Sequence, residues 1–161
     1  IIPLPADIWV SLKEINGEIV QWFDWASSDL ISWHPIEQAK LHPNKKSYPY
    51  PKFNNPWSIK TPKGYSCLFV QPFHRDAPFT ILPGIVDTDK YHVPVNFPFT
   101  LNNISWRGLI PAGTPIAQVI PFKRDSWKSN FEFYENGEYK DVVEEKHFNL
   151  TIVNNYKLAA R

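Results

Sequence analysis

His74-Arg75-Asp76 comes nearest to a metal site in this chain. A His and a carboxylate two residues apart are two of the three ligands of a facial triad, the set that leaves iron(II) open positions for oxygen chemistry. The third ligand is normally a distal His. His92 follows too closely and His147 stands in a stretch with helical spacing, so the trio reads as a polar corner between strands with a local Arg-Asp pair. His34 and His42 are eight residues apart in a Pro-rich stretch, with no helix to align them on a metal. Cys67 lies inside the apolar run Tyr65 to Val70 and reads as a small buried hydrophobe rather than a nucleophile. Gln118 shares a strand face with Ile116, Ile120 and Phe122. An amide there is costly unless satisfied, so it either braces a loop or touches a ligand. No Gly-x-Ser-x-Gly, Walker or Cys-x-x-Cys pattern occurs, which argues against acyl transfer, P-loop chemistry and zinc fingers.

The elements that must position these residues follow from composition. The chain has 161 residues, 43% apolar, with 16 Pro, 7 Trp, 7 Tyr, 11 Phe and only 6 Gly. That length suits one domain with a packed core. Proline breaks helices and central strands while aromatics favour pleated, half-buried surfaces, so many short strands joined by Pro-marked corners are expected. The reading is an all-β domain. Net charge is +1, and Lys45-Lys46 within Lys40 to Lys52 reads as a solvated loop, so there is no strong nucleic-acid signal. No apolar run approaches the ~20 residues that span a bilayer. A single cysteine and no signal-peptide pattern lead to the expectation of a cytoplasmic protein that does not enter a membrane.

Along the chain, Asp7 to Trp25 predicts a hairpin turning at Asn16-Gly17, the favoured type I′ pair. Ser32 to Pro56 predicts a long irregular arm, with aromatics from Trp22 to Trp57 as the surface for a protein partner. Strands are expected at Trp57–Lys60, Tyr65–Pro72, Phe79–Val86, Tyr91–Phe97 and Thr114–Phe122, the last opened by a Pro-Ala-Gly turn. Pro94 puts the Tyr91–Phe97 strand at an edge or a bulge. Phe131 to Tyr139 repeats the hairpin signal around Asn136-Gly137. Asp141 to Leu158, with Asp141 and Glu144 as a capping box and Phe148, Ile152 and Tyr156 at helical spacing, predicts a C-terminal α-helix. The expected division is one domain, 1–161: hairpin and arm to 56, β core 57–140, helix 141–158.

Two motifs carry a family resemblance. Gly84-Ile85-Val86-Asp87 followed by Tyr91 resembles the third motif of the dUTPases, and Gly113-Thr114-Pro115-Ile116-Ala117-Gln118 resembles their fourth, with Pro115 where that family has Arg. Thr61-Pro62-Lys63-Gly64 takes the place of the second motif without its Arg-Ser pair, and the Gly-rich closing motif is absent. The resemblance to the dUTPase and dCTP deaminase superfamily covers Trp57 to Phe122. It implies a distorted β-barrel or jelly roll of the β-clip kind, often oligomeric. For an enzyme of that type it implies Asp87 positioning the attacking water, Tyr91 stacking on the base, Lys63 and Gln118 near phosphate, and Mg²⁺ bridging the phosphates. The central block also resembles a family of uncharacterised proteins from bacteriophages and marine bacteria, which implies a setting but no mechanism.

The leading expectation is therefore a phage-associated protein of unknown function. It would use a dUTPase-like scaffold for binding or assembly, without clear catalytic residues, as a homo-oligomer or with a protein partner at the aromatic arm. A deoxynucleotide hydrolase or deaminase is the alternative, and an iron- and 2-oxoglutarate-dependent oxygenase stands third.

Overall fold

The computed structural model describes residues 1–26, 29–39, 49–131 and 133. The chain divides into two compact units, Ile1–Arg124 and Asp125–Arg161. The described residues of the first are all-β, with strands β1 (Ile2–Pro3), β2 (Ile8–Ile15), β3 (Glu18–Trp25), β4 (Ile31–His34), β5 (Tyr50–Phe53), β6 (Tyr65–Val70), β7 (Phe79–Ile81), β8 (Gly84–Val86), β9 (Phe97–Leu101), β10 (Gly108–Ile110) and β11 (Pro115–Lys123), and a 3₁₀ turn at Ile36–Ala39. Residues 125–131 and 133 of the second unit carry no helix or strand. The hairpin expected around Asn136-Gly137 and the helix expected over Asp141–Leu158 lie outside the described residues.

The strands form three antiparallel sheets, ordered β1-β11-β6-β8, β10-β2-β3 and β4-β5-β9-β7. They do not close into the expected barrel. The chain changes sheet at Leu82-Pro83: β7 pairs with β9 and β8 pairs with β6, so the single strand expected over Phe79–Val86 is two strands in two sheets. Phenylalanines hold the sheets together. Phe53 stacks on Phe99 with centroids 4.0 Å apart, and Phe79 meets Phe53 edge-on at 4.9 Å. Phe23 of the second sheet meets Phe99 at 5.7 Å, and Phe69 of the first meets Phe97 at 5.6 Å. Each fully buried ring contributes about 1.5–3 kcal/mol by leaving water.

The β2–β3 hairpin forms as its turn chemistry dictates. Asn16 and Gly17 both have positive φ, 55° and 81°, the combination a type I′ turn requires. The Pro-Ala-Gly turn opens β11, with Thr114 N–H donating to the Pro111 carbonyl at 3.2 Å and Gly113 at φ 81°.

Three strand assignments need correction. The arm is not irregular throughout, because β4 and β5 pair over Ile31–His34 and Tyr50–Phe53. Trp57–Lys60 is not a strand: Asn55 folds back and exchanges hydrogen bonds with the Trp57 backbone at 2.7 and 3.1 Å. Residues 91–96 are not a strand either, and β9 begins only at Phe97. The Asp87 carbonyl accepts both the Lys90 and the Tyr91 N–H, at 2.9 and 2.8 Å, which coils the chain where a ladder would begin. Pro94 then lacks the donor that would restart one.

Candidate functional site

Two regions bring functional side chains together. The first lies at one end of the first sheet. Asp87 follows β8, Ser66 is the second residue of β6 and Arg124 follows β11, so the ladder delivers all three to the same edge. The turn at Thr88–Lys90 brings in Asp89.

Arg124 is the centre of this cluster. Its Nη1 donates to Ser66 Oγ at 2.8 Å, to the Tyr65 carbonyl at 3.0 Å and to Asp89 Oδ1 at 2.9 Å, while its Nη2 pairs with Asp89 Oδ2. Asp87 Oδ1 lies 3.0 Å from Nη1 and accepts the Ser66 hydroxyl at 2.7 Å; Asp87 Oδ2 takes the Lys90 ammonium at 3.4 Å. The Gly64 N–H donates to Asp89 Oδ2 at 2.8 Å, tying the Thr61–Gly64 turn to the same carboxylate. The Asp89 side chain is only 3% exposed, whereas Asp87 keeps 43%.

The charges follow from these contacts. The Arg124 hydrogen bond and then the Gly64 N–H hold Asp89 at about 2. The Ser66 hydroxyl, aided by Arg124 and Lys90, holds Asp87 below the ordinary carboxylate value, and Asp89 and Asp87 in turn push the Arg124 guanidinium up. A carboxylate kept this acidic takes up a proton poorly at neutral pH, which is the opposite of a tuned general base. The arrangement fastens three strand ends and a loop.

The residues expected at a site are only partly gathered. Lys63 is exposed in the turn beside Gly64, Asp87 is in the cluster, and Tyr91, 48% exposed, ends the turn that begins at Asp87. Gln118 is elsewhere. It pairs across from Val70, six residues before Arg124 on an extended strand, roughly 20 Å away. Its side-chain oxygen accepts the Phe73 N–H at 3.1 Å, so it braces the corner after β6. Arg124 escaped the sequence reading because only the β6–β11 register places it beside Asp87. The signal available was the basic pair Lys123-Arg124 ending an apolar strand.

Cys67 is buried on β6, where it accepts a hydrogen bond from the Thr88 hydroxyl at 3.3 Å. His74 and Asp76 stand exposed on the corner before β7. Among the described residues no three metal-ligating side chains gather into a cluster. His34 is on β4, its pKa lowered by burial and by Lys52; His42 lies outside the described residues.

The second region is an apolar groove of about 540 Å³ along β3. Residues Glu18–Phe23 form one wall; Trp33 of β4, Pro51 of β5 and Ile104 form the other. Trp22 is fixed by its indole N–H, which donates to Asp24 at 2.8 Å, and by the Lys13 ammonium 3.8 Å above its ring. Gln21 holds the hairpin to the opposite wall by donating to the Ile104 carbonyl at 3.1 Å. Trp33 remains 55% exposed. Comparison with protein-family models, curated proteins and solved structures found no match for this chain.

Proposed function

We propose that this chain is a binding or assembly module that keeps a dUTPase-like β scaffold without using it for catalysis. Its setting is phage-associated or bacterial cytoplasm, and its partner is a protein met through the aromatic arm. The observation that carries this reading is the state of Asp87, the one carboxylate the family motif would make catalytic. Its oxygens are taken by Ser66, Arg124 and Lys90, and it is held ionised. A carboxylate so held orients a backbone turn and is a weak base, although its side chain keeps 43% exposure. The aromatic side chains along β3 and β4 are by contrast exposed around an apolar groove, the composition of a surface that anchors protein partners.

The deoxynucleotide hydrolase or deaminase is the second reading, favoured by Lys63, Asp87 and Tyr91 standing at one end of the first sheet. It needs Gln118 from a second copy, because within one chain that residue is near the middle of β11, roughly 20 Å from Arg124. The metal of this reading is Mg²⁺ carried on the nucleotide phosphates, since no cluster among the described residues suits it.

A thermal-shift screen against deoxynucleotides with and without Mg²⁺ separates the two. A ligand at ~100 times its Kd stabilises by about 2.7 kcal/mol. The binding module shows no such shift. A shift specific to one deoxynucleotide, lost in Asp87→Asn, overturns it in favour of the enzyme.

A further inference from the structure

We infer that the groove beside β3 takes an extended polypeptide segment, which adds to the second sheet as a new strand beyond β3. The inference rests on the binding-module reading and specifies the chemistry of its partner.

The hydrogen-bond pattern of the hairpin is the starting point. A two-residue turn makes its flanking residues, Ile15 and Glu18, a hydrogen-bonded pair, and such pairs alternate along an antiparallel ladder. Val20 and Trp22 therefore also turn their backbone groups toward β2, opposite Lys13 and Ser11. Ile19, Gln21 and Phe23 turn theirs away. The parity is consistent on the other side of the sheet, where Ile8 and Val10, bonded away from β3, meet β10. Among the described residues no backbone hydrogen bond reaches Ile19, Gln21 or Phe23 from beyond the hairpin.

The groove lies against these open groups. Successive side chains of a strand point to opposite faces, so a hollow touching six consecutive residues, Glu18–Phe23, must run along the edge of the strand. β2 fills one edge, which leaves the open one. Across the groove stands Trp33 of β4, itself the last strand of its sheet. Six residues span roughly 20 Å, room for an extended segment of similar length. The apolar far wall selects apolar side chains at alternate positions, as in recognition by strand addition.

β3 also differs from the other outer strands. It has eight residues against two to four for β1, β4, β7, β8 and β10, and it carries neither Lys nor Pro, the usual devices that blunt an exposed edge. A second copy of β3 is a poor occupant in the fully overlapping register. Antiparallel self-pairing centred on Gln21 would set Glu18 against Asp24 of the other copy at both ends.

The test uses the full chain and a surface-displayed library of random dodecapeptides. Enriched peptides are synthesised, and amide exchange is followed residue by residue as they bind. Strand addition slows exchange at Ile19, Gln21 and Phe23 and leaves Val20 and Trp22, already bonded to β2, unchanged. Ile19→Pro removes an outward donor without breaking a bond to β2, though it also fixes φ and replaces a groove side chain. It should weaken binding roughly tenfold or more, well beyond Ile19→Ala. If Ile19→Pro does not fold, the alternation in the unaltered chain decides alone. Peptides that bind and are lost in Trp33→Ala without alternating protection overturn strand addition and leave the binding module standing. A library yielding no binder overturns both.

Discussion

The Arg124 cluster and the β3 groove treat their functional groups in opposite ways. Around Arg124, each carboxylate oxygen of Asp87 and Asp89 meets a donor from Gly64, Ser66, Lys90 or Arg124 itself. Among the described residues no buried side-chain polar atom lacks a hydrogen bond. Along β3 the unspent groups are on display: open backbone donors and acceptors beside exposed indoles. Carboxylates of the kind that could do chemistry are thus hydrogen-bonded within the fold, whereas Trp and Ile side chains along β3 and β4 remain exposed.

The largest effect is expected from removing what both regions share. Phe99 is fully buried and touches Phe23, Phe53 and Phe79, so Phe99→Ala should cost about 3–5 kcal/mol and lower the denaturation midpoint without selective loss in either region. Trp33→Ala, at an exposed position, should leave that midpoint nearly unchanged; a comparable loss there would mean the groove belongs to the core.

The clamp can be tested by acid. Asp89 titrates at about 2 in the folded chain against an ordinary 3.8, a depressed value. Its contribution is complete above the unfolded value and drains away as pH falls from about 4 toward 2. Asp89→Asn should therefore lower Tm at neutral pH and flatten its decline through that acid window. A variant whose acid limb matched the parent would show that the clamp does not support the fold.

Smaller effects sharpen the other side. Gly17 sits at φ 81° with open space around it, so Gly17→Ala should cost about 1–2 kcal/mol through backbone strain alone and loosen the β3 groove with it, as seen by faster amide exchange at the hairpin tip. Lys13→Ala removes the ammonium over Trp22 and should cost about 0.5 kcal/mol, read as a small change in stability and in indole fluorescence.

What was legible in the sequence follows the range of the interactions. The hairpin was, because Asn16-Gly17 and its flanking alternation are local. So were the apolar strands β6 and β11 and the burial of Cys67. The β4–β5 pair was hidden among prolines: Pro51 stands inside β5, whose partners are Trp33, eighteen positions earlier, on one side and the distant β9 on the other. Tyr91–Asn96 alternates like a strand, yet the turn held by the Asp87 carbonyl coils its start. Of the expected site, Asp87 and its neighbour turn were visible as a motif. Arg124, 35 residues from Asp89, was not, since nothing short of the sheet register brings the two together.

Cys67 has a use that does not depend on any partner. It is the only thiol in the chain, 1% exposed, on a strand flanked on both sides by β11 and β8. Its side chain is packed in the core, so a reagent can reach it only when the structure around the first sheet opens. Its alkylation rate is therefore an intrinsic clock for opening of the first sheet, readable by mass without any added label. Because the clamp fastens one end of β6, the clock should run faster in Asp89→Asn than in the parent chain, and keep its pace in Trp33→Ala.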